Sequence, residues 1–333
     1  MSDLEQRLQD FRTDFGRVID EVHKVVVGQD EVIENTLVAV FAGGHCLLEG
    51  VPGLGKTLLV RTLSEVLDLT YSRIQFTPDL MPADILGTRI VVEDEKGGRQ
   101  FEFQRGPIFG QIILADEVNR ATPKTQSALL EAMQEKTVTV GRDRFTLDLP
   151  FFVLATQNPL EMDGTYPLPE AQLDRFLFKV MVKFPTREEL GEVLGRTTDV
   201  YDVRPEKILG GEEILRYQEL VREIVVAPHV RDYAIRLILA THPEDATAPE
   251  AVRRFVRYGS SPRGAQSLML GGKIRAALDQ RFNVSFQDIR DTIYPSLRHR
   301  MILNFEGEAE GKDADDVLKE ILDATPEVSA MAS

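Results

Sequence analysis

The stretch Gly50-Val51-Pro52-Gly53-Leu54-Gly55-Lys56-Thr57 decides the fold of this chain. It matches the pattern G-x-x-x-x-G-K-[ST], and it lies between a short apolar run at 45–48 and a segment with helical spacing at 58–67. In a strand–loop–helix unit of this kind, the glycines let backbone N–H groups converge on phosphate oxygens, and the helix adds the positive end of its dipole. The motif therefore predicts a nucleotide-binding α/β domain.

The residue types in this loop suggest specific roles. We expect the backbone of residues 50–55 to surround the phosphates and Lys56 to neutralise the β- and γ-phosphates of ATP. The hydroxyl of Thr57 is expected to bind Mg²⁺, and Leu58 completes the predicted nucleotide-binding set.

A second motif follows 60 residues after Lys56 (116 − 56), where an apolar strand ends in two carboxylates. Asp116 is expected to share the Mg²⁺ ion with Thr57, as sites with this kind of phosphate loop require. Glu117 is then placed to polarise the attacking water as a general base. An ordinary pair of helix-capping residues is the alternative, and the neighbouring phosphate loop favours the catalytic interpretation.

The order of apolar runs predicts an α/β fold with a parallel sheet between helices and two inserted hairpins. From Pro185 onward the pattern is helical, with few strand signals. We therefore predict a nucleotide-binding core at 1–184, an all-helical lid at 185–325 and a flexible tail at 326–333. The predicted sheet strands are 45–48, 72–76, 111–114, 151–155 and 176–182, and the predicted hairpins span 88–103 and 137–149.

Composition narrows the partners. The 333 residues include 39 Lys and Arg against 54 Asp and Glu, a net charge of −15, which argues against a charge-driven nucleic-acid binder. The single cysteine, Cys46, permits no internal disulfide and fits a reducing compartment. Because no apolar run approaches 18 residues, we expect no membrane insertion and a cytoplasmic location.

Three more polar residues are candidates for the same chemistry. Asn158 follows a strand predicted to neighbour that of Asp116, so it could contact the γ-phosphate or its water, or simply form a turn. Arg175 precedes a strand and could equally be a surface arginine paired with Asp174. Arg263 begins a helix, where a cation opposes the helix dipole unless a phosphate offsets the cost.

The chain resembles the MoxR family of AAA+ ATPases from about residue 5 to residue 322. The phosphate loop is shared by many nucleotidases, whereas the stretch RIQFTPDLMPAD at 73–84 is much narrower. The resemblance is extended by VVGQD at 26–30, GHCLLEGVPG at 44–53, DEVNRA at 116–121, ATQNP at 155–159, SPR at 261–263 and LRHR at 297–300.

This resemblance implies a ring, usually a hexamer, with ATP between neighbouring subunits. Asn158 falls at the family's first sensor, and Arg263 falls at the second sensor, which reaches the γ-phosphate from the lid. Arg175 falls at the arginine finger that completes the next subunit's site. Val27 and Gly28 match the segment that lines the adenine, and both hairpins match inserts that project toward the pore or the client.

The leading hypothesis is an ATP-hydrolysing ring chaperone that remodels partner proteins. The resemblance implies clients that can carry von Willebrand factor A domains. The first hairpin is rich in charged residues, with few exposed apolar ones and no aromatic pair at its tip, which favours local remodelling over threading.

Two alternatives remain. A DNA-dependent motor would use the Arg142 and Arg144 side chains of the second hairpin, although the net charge opposes it. A non-enzymatic nucleotide switch would not need Glu117 and the three sensor and finger residues. Arg120 could face a neighbour's nucleotide or cap a helix, and residues 298–300 could bind nucleic acid or form local ion pairs.

Overall fold

The computed structural model describes residues 3–93, 99–159, 164–199 and 203–328. Its strands are β1 (Cys46–Glu49), β2 (Tyr71–Gln75), β3 (Gly87–Glu93), β4 (Arg99–Arg105), β5 (Ile112–Asp116), β6 (Thr137–Val140), β7 (Asp143–Thr146), β8 (Phe152–Gln157), β9 (Phe178–Met181), β10 (Val256–Tyr258) and β11 (Ile302–Leu303). Its helices are α1 (Asp3–His23), α2 (Asp30–Phe41), α3 (Lys56–Val66), α4 (Pro82–Leu86), α5 (Pro123–Glu135), α6 (Glu170–Leu173), α7 (Arg187–Thr198), α8 (Gly211–Glu223), α9 (Pro228–Leu239), α10 (Glu250–Phe255), α11 (Pro262–Leu278), α12 (Phe286–Leu297), α13 (Phe305–Ala309) and α14 (Ala314–Ala324).

The central sheet is parallel, as the sequence predicted. In the described part of the chain it has the order β2-β5-β8-β1-β9. The register places Gln75 beside Asp116 and Glu49 beside Gln157, so the carboxyl ends of these strands meet at one edge. The phosphate loop leaves β1 at the same edge, because it begins directly after Glu49.

Alternate residues of the sheet strands pack into different apolar clusters on its two faces. Ile112 and Leu114 join the cluster that contains α1 and α2, whereas Ile113 and Ala115 join the cluster that contains α5. Both faces are buried, which explains why the strands are continuous apolar runs rather than alternating patterns.

The chain after β9 is mainly helical but not wholly so, and the prediction of an all-helical lid was wrong in this detail. Strands β10 and β11 form an antiparallel pair there. They contain three and two residues, too few to produce a recognisable alternation in sequence. The first apolar cluster continues from α1 and α2 into α8 and α11, so the sheet and these later helices share one core.

The two inserted hairpins, β3–β4 and β6–β7, pack against each other. The rings of Phe103 and Phe145 stack with centroids 4.2 Å apart, and Arg89 forms an ion pair with Asp143. The expectation of few exposed apolar residues was wrong, because the cross-strand pair Val91 and Phe101 is 55% and 76% exposed. The predicted charged tip at 94–98 lies outside the described residues.

Several other chemistries lack a structural basis in the residues described. Cys46 is fully buried, and burial raises the pKa of its thiol, as expected for a structural cysteine rather than a nucleophile. Within the described ranges, no group of His, Cys, Asp and Glu could hold a metal ion by itself. Nor does any described helix combine the length and apolar character needed to cross a membrane.

Candidate nucleotide-binding site

A cavity of about 180 Å³ lies at the carboxyl edge of the sheet. It is lined by residues from three separate motifs, namely the phosphate loop, the end of β5 and the end of β8. The lining residues are Pro52, Gly53, Leu54, Gly55, Lys56, Thr57, Asp116, Glu117, Thr156, Gln157 and Asn158. The fold thus brings Asn158 to the same space as Lys56 and Glu117.

The phosphate loop has the backbone that its sequence predicts. Gly53 and Gly55 have φ angles of +82° and +76°, a region that side chains rarely adopt, and α3 begins immediately afterwards at Lys56. The Lys56 ammonium donates hydrogen bonds to the carbonyls of Gly50 at 2.5 Å and Val51 at 3.1 Å. Burial lowers the pKa of Lys56, while Asp116 and Glu117 oppose this shift. An anion in the cavity would offset the cost of holding this cation there.

Asp116 is tied to both neighbouring strands. Its carboxylate accepts a hydrogen bond from the Thr156 hydroxyl at 2.6 Å and an ion-pair contact from Arg73 at 2.7 Å. Arg73 also donates to Gln75 at 2.6 Å. The Asp116 side chain is therefore oriented by residues of β8 and β2.

Glu117 is held by residues that the sequence did not single out. It has a φ of +56°, and its N–H donates to the Thr156 hydroxyl at 2.8 Å. Its carboxylate accepts hydrogen bonds from Gln75 at 3.0 Å and Arg120 at 2.9 Å. Arg120, whose role was open, thus contacts the predicted base of its own chain. A polar residue at the end of β2, beside Asp116 in register, was the available signal for Gln75.

The donor set at this edge fits Mg²⁺. Thr57 supplies a hydroxyl and Asp116 a carboxylate, which are the hard oxygen ligands that Mg²⁺ prefers, and both line the phosphate cavity. The Asp116 carboxylate is half-hidden, so few of its contacts come from bulk water, and its present partners leave it as the local anion.

A second, more apolar cavity of about 330 Å³ adjoins the phosphate loop. Its walls come from the residues before α2, from α3 and from the segment that leads into α7. They include Val25, Val26, Val27, Gln29, Leu58, Phe184, Pro185, Leu190 and Val193, and the cavity shares Gly53, Leu54 and Gly55 with the phosphate site. An apolar slot beside a phosphate cavity suits a nucleotide base. Gly28 adjoins the slot rather than lining it, and a Cβ there would collide with Glu189.

The remaining predicted residues lie elsewhere in the chain. Among the described residues, neither Arg175 nor Arg263 lines the phosphate cavity. Arg175 donates to the carbonyl of Leu130 at 2.6 Å and borders a different cavity beside α5. Arg263 is 43% exposed, with its Nε 3.9 Å from the Asp174 carboxylate. A single chain therefore assembles the loop, the carboxylates and Asn158, but not the two arginines.

Residues 298–300 form local contacts. Arg298 donates to both carboxylate oxygens of Asp315, at 3.0 and 2.7 Å. His299 is buried, and this burial holds its pKa well below the usual value. Arg300 is buried as well and pairs with Asp174 at 2.8 Å. The ion-pair interpretation of this motif is correct, because these side chains face the protein interior rather than solvent.

Comparison with known proteins agrees with this architecture. Residues 45–178 match the ATPase family associated with various cellular activities (AAA), and residues 249–321 match the AAA lid domain. The chain is 42% identical over 317 residues to Chaperone MoxR1 of Mycobacterium tuberculosis, covering 95% of this chain and 83% of that protein. It is 30% identical to Protein MoxR of Paracoccus denitrificans, covering 90% and 92% of the two chains. The crystal structure of a Cytophaga hutchinsonii protein assigned as an ATPase is 43% identical, with a TM-score of 0.90 and 98% of each chain covered.

Proposed function

Because the chain belongs to the MoxR family of AAA+ ATPases, we propose that it hydrolyses ATP in a ring and uses the energy to remodel or activate partner proteins. The observation that carries the catalytic part is the phosphate cavity, which joins Lys56, Glu117 and Asn158. A cavity that held only the phosphate loop would suit binding alone. The presence of a placed carboxylate beside it favours hydrolysis over a nucleotide switch.

In this proposal, residues 50–57 hold the triphosphate and Lys56 exchanges its loop carbonyls for the β- and γ-phosphates. Mg²⁺, held by Thr57 and Asp116, would neutralise charge on the phosphate oxygens. Glu117 accepts a proton from the attacking water, and Asn158 orients that water or the γ-phosphate. Val27 and Leu58 contact the base in the apolar cavity, which Gly28 borders.

Catalysis in this proposal also needs two arginines that lie outside the cavity. Arg263 reaches the γ-phosphate of its own subunit from the lid, and Arg175 reaches the nucleotide of the neighbour. The separation of Arg175 from the phosphate cavity of its own chain supports a role in trans. A ring, expected to be a hexamer, follows from that requirement, with the core at 1–184 and the lid at 185–325.

The substitution Glu117→Gln tests the catalytic assignment. Glutamine keeps the shape and an oxygen that accepts from Gln75 and Arg120, but it cannot take up the proton. We expect ATP to bind at least as tightly as to the unaltered protein and the turnover number to fall by about 10²–10⁴-fold. Titration with a fluorescent ATP analogue and steady-state phosphate release measure the two quantities. Normal turnover in this variant would contradict the assignment of the base.

The ring is tested by the dependence of rate on protein concentration. Activity per subunit should rise steeply across the range in which the ring assembles, because each site needs Arg175 of a neighbour. Arg175→Ala should lower the turnover number by about 10³-fold at full assembly. A rate per subunit that stays flat while light scattering reports assembly would refute the finger in trans.

We propose a protein client rather than DNA. The net charge of −15 and the interior position of residues 298–300 support this choice, and the similar Chaperone MoxR1 is named for a chaperone role. A client with a von Willebrand factor A domain and a cytoplasmic location complete the proposal. Titration with single-stranded DNA at two salt concentrations tests the alternative, since contacts to the phosphate backbone would give a strong salt dependence.

A further inference from the structure

The segment that carries Arg175 is held by the lid through Arg300. The Arg300 side chain is only 2% exposed, and it donates hydrogen bonds to the backbone carbonyls of Asp174 at 3.1 Å, Phe176 at 2.7 Å and Leu177 at 3.1 Å. His299 adds a hydrogen bond of 3.0 Å to the carbonyl of Phe176. Burial lowers the pKa of Arg300 to about 10, while Asp174 stabilises its charged form. The lid and the segment 174–177 are thereby joined by a buried, charged contact.

The Asp174 carboxylate is shared by two lid arginines. One oxygen accepts from Arg300 at 2.8 Å and from the Ser261 hydroxyl at 2.7 Å, and the other lies 3.9 Å from Arg263. Asp174 directly precedes Arg175 in the chain. A single carboxylate therefore connects the residue proposed to sense this subunit's own ATP with the residue proposed to reach the neighbour's ATP.

We propose that Asp174 is a positioning residue that couples a subunit's own nucleotide to its arginine finger. The inference rests on the proposed function, because it uses the roles proposed for Arg263 and Arg175. When Arg263 moves to a γ-phosphate it leaves the Asp174 carboxylate, which then stays with Ser261 and Arg300. The bonds from Arg300 to the backbone at 174–177 carry any accompanying movement of the lid to Arg175.

The first test concerns ATP affinity. Asp174→Asn keeps the size and an oxygen for Ser261 and Arg300, and it removes the charge that attracts Arg263. We expect the Kd for ATP to decrease roughly two- to fivefold, the range for a partly exposed ion pair that no longer competes with the ligand. In an Arg263→Gln background, the same substitution should leave the Kd unchanged. An unchanged Kd in the chain with Arg263 intact would overturn the proposal.

The second test concerns the finger. Asp174→Asn should lower the turnover number at least about tenfold, because small displacements of a catalytic group are costly. Mixing it with Glu117→Gln subunits, which keep an intact finger, should restore hydrolysis, as the same mixing should for Arg175→Ala. Restoration for Arg175→Ala but not for Asp174→Asn would overturn the positioning role alone. Restoration for neither would remove the finger in trans and this inference with it.

Two further variants separate positioning from stability. Asp315→Asn removes the carboxylate from Arg298 in the same turn of the lid without touching Asp174, so its Kd and turnover number should stay normal. Should Asp174→Asn unfold, Ser261→Ala retains the Arg300 ion pair and removes only the hydroxyl bond to Asp174. It should show a smaller loss of turnover, about two- to fivefold, that Glu117→Gln subunits restore. A loss that these subunits do not restore would count against the proposal.

Discussion

Thr156→Val isolates the hydroxyl that orders both predicted catalytic carboxylates. This hydroxyl donates to Asp116 at 2.6 Å and accepts the N–H of Glu117 at 2.8 Å, and Thr156 is almost fully buried. Valine has nearly the same shape, so the substitution creates no cavity. It removes one bond to a carboxylate and leaves the Glu117 N–H without its partner, which together cost about 2–4 kcal/mol of unfolding free energy.

Turnover should fall for the same reason. Glu117 has a positive φ, which is costly for a residue with a side chain, and the bond to Thr156 helps to hold that conformation. A displacement of Glu117 by about 1 Å would lower the turnover number by roughly 10–100-fold. ATP binding should change little, because the phosphate loop is untouched.

Thr36→Val is the matched control. Thr36 is fully buried in α2, and its hydroxyl has no hydrogen-bond partner within the described part of the chain. Its replacement by valine should change the unfolding free energy by no more than about 0.5 kcal/mol or increase it, with normal turnover. Urea unfolding followed by circular dichroism and steady-state phosphate release compare the two variants. Equal stability and equal turnover in both would refute the role assigned to Thr156.

Three further predictions concern pH, the base cavity and the 298–300 motif. Burial lowers the pKa of His45 to about 4, so the unfolded chain binds more protons below pH 6.5, and the unfolding free energy should fall by roughly 2 kcal/mol between pH 6.5 and 5 on this account. His45→Gln should weaken that slope in urea titrations, and an unaltered slope would contradict the prediction. Leu190→Ala should weaken ATP binding by about threefold to tenfold through lost apolar contact, whereas Leu194→Ala, one turn away and 55% exposed, should not; equal effects would exclude the proposed base cavity. Arg298→Gln should lower the unfolding free energy by about 1–3 kcal/mol, because its ion pair with Asp315 is largely buried, and should leave any affinity for single-stranded DNA unchanged; a loss of DNA affinity without a loss of stability would reverse that interpretation.

Much of the fold could be predicted from local pattern. The apolar runs that became β1, β2, β5, β8 and β9 are contiguous and buried on both faces, so their signal does not depend on distant residues. Both hairpins were predicted from turn residues between short strands. The pair β10–β11 was missed because its strands are too short, and the exposure of Val91 and Phe101 was missed because exposure depends on which neighbours pack there.

The sequence by itself determined the phosphate loop, the two carboxylates after β5 and Asn158 after β8. Each is a short motif at the end of a strand, and parallel strands bring their carboxyl ends to one edge whatever the details of packing. Resemblance, rather than residue chemistry, suggested the roles of Arg175 and Arg263, and a single chain leaves both outside the phosphate cavity.

Only the tertiary structure decided which side chains hold those groups. Gln75, Thr156 and Arg120 orient Glu117, although the first two lie about 40 residues or more from it in sequence (117 − 75 and 156 − 117). Arg300 meets Asp174 across 126 positions and changes a surface-like motif into a buried contact between the lid and the core. Hydrogen bonds and ion pairs depend on distances of a few ångströms, and such distances are set by how the sheet and the helices pack rather than by any pattern along the chain.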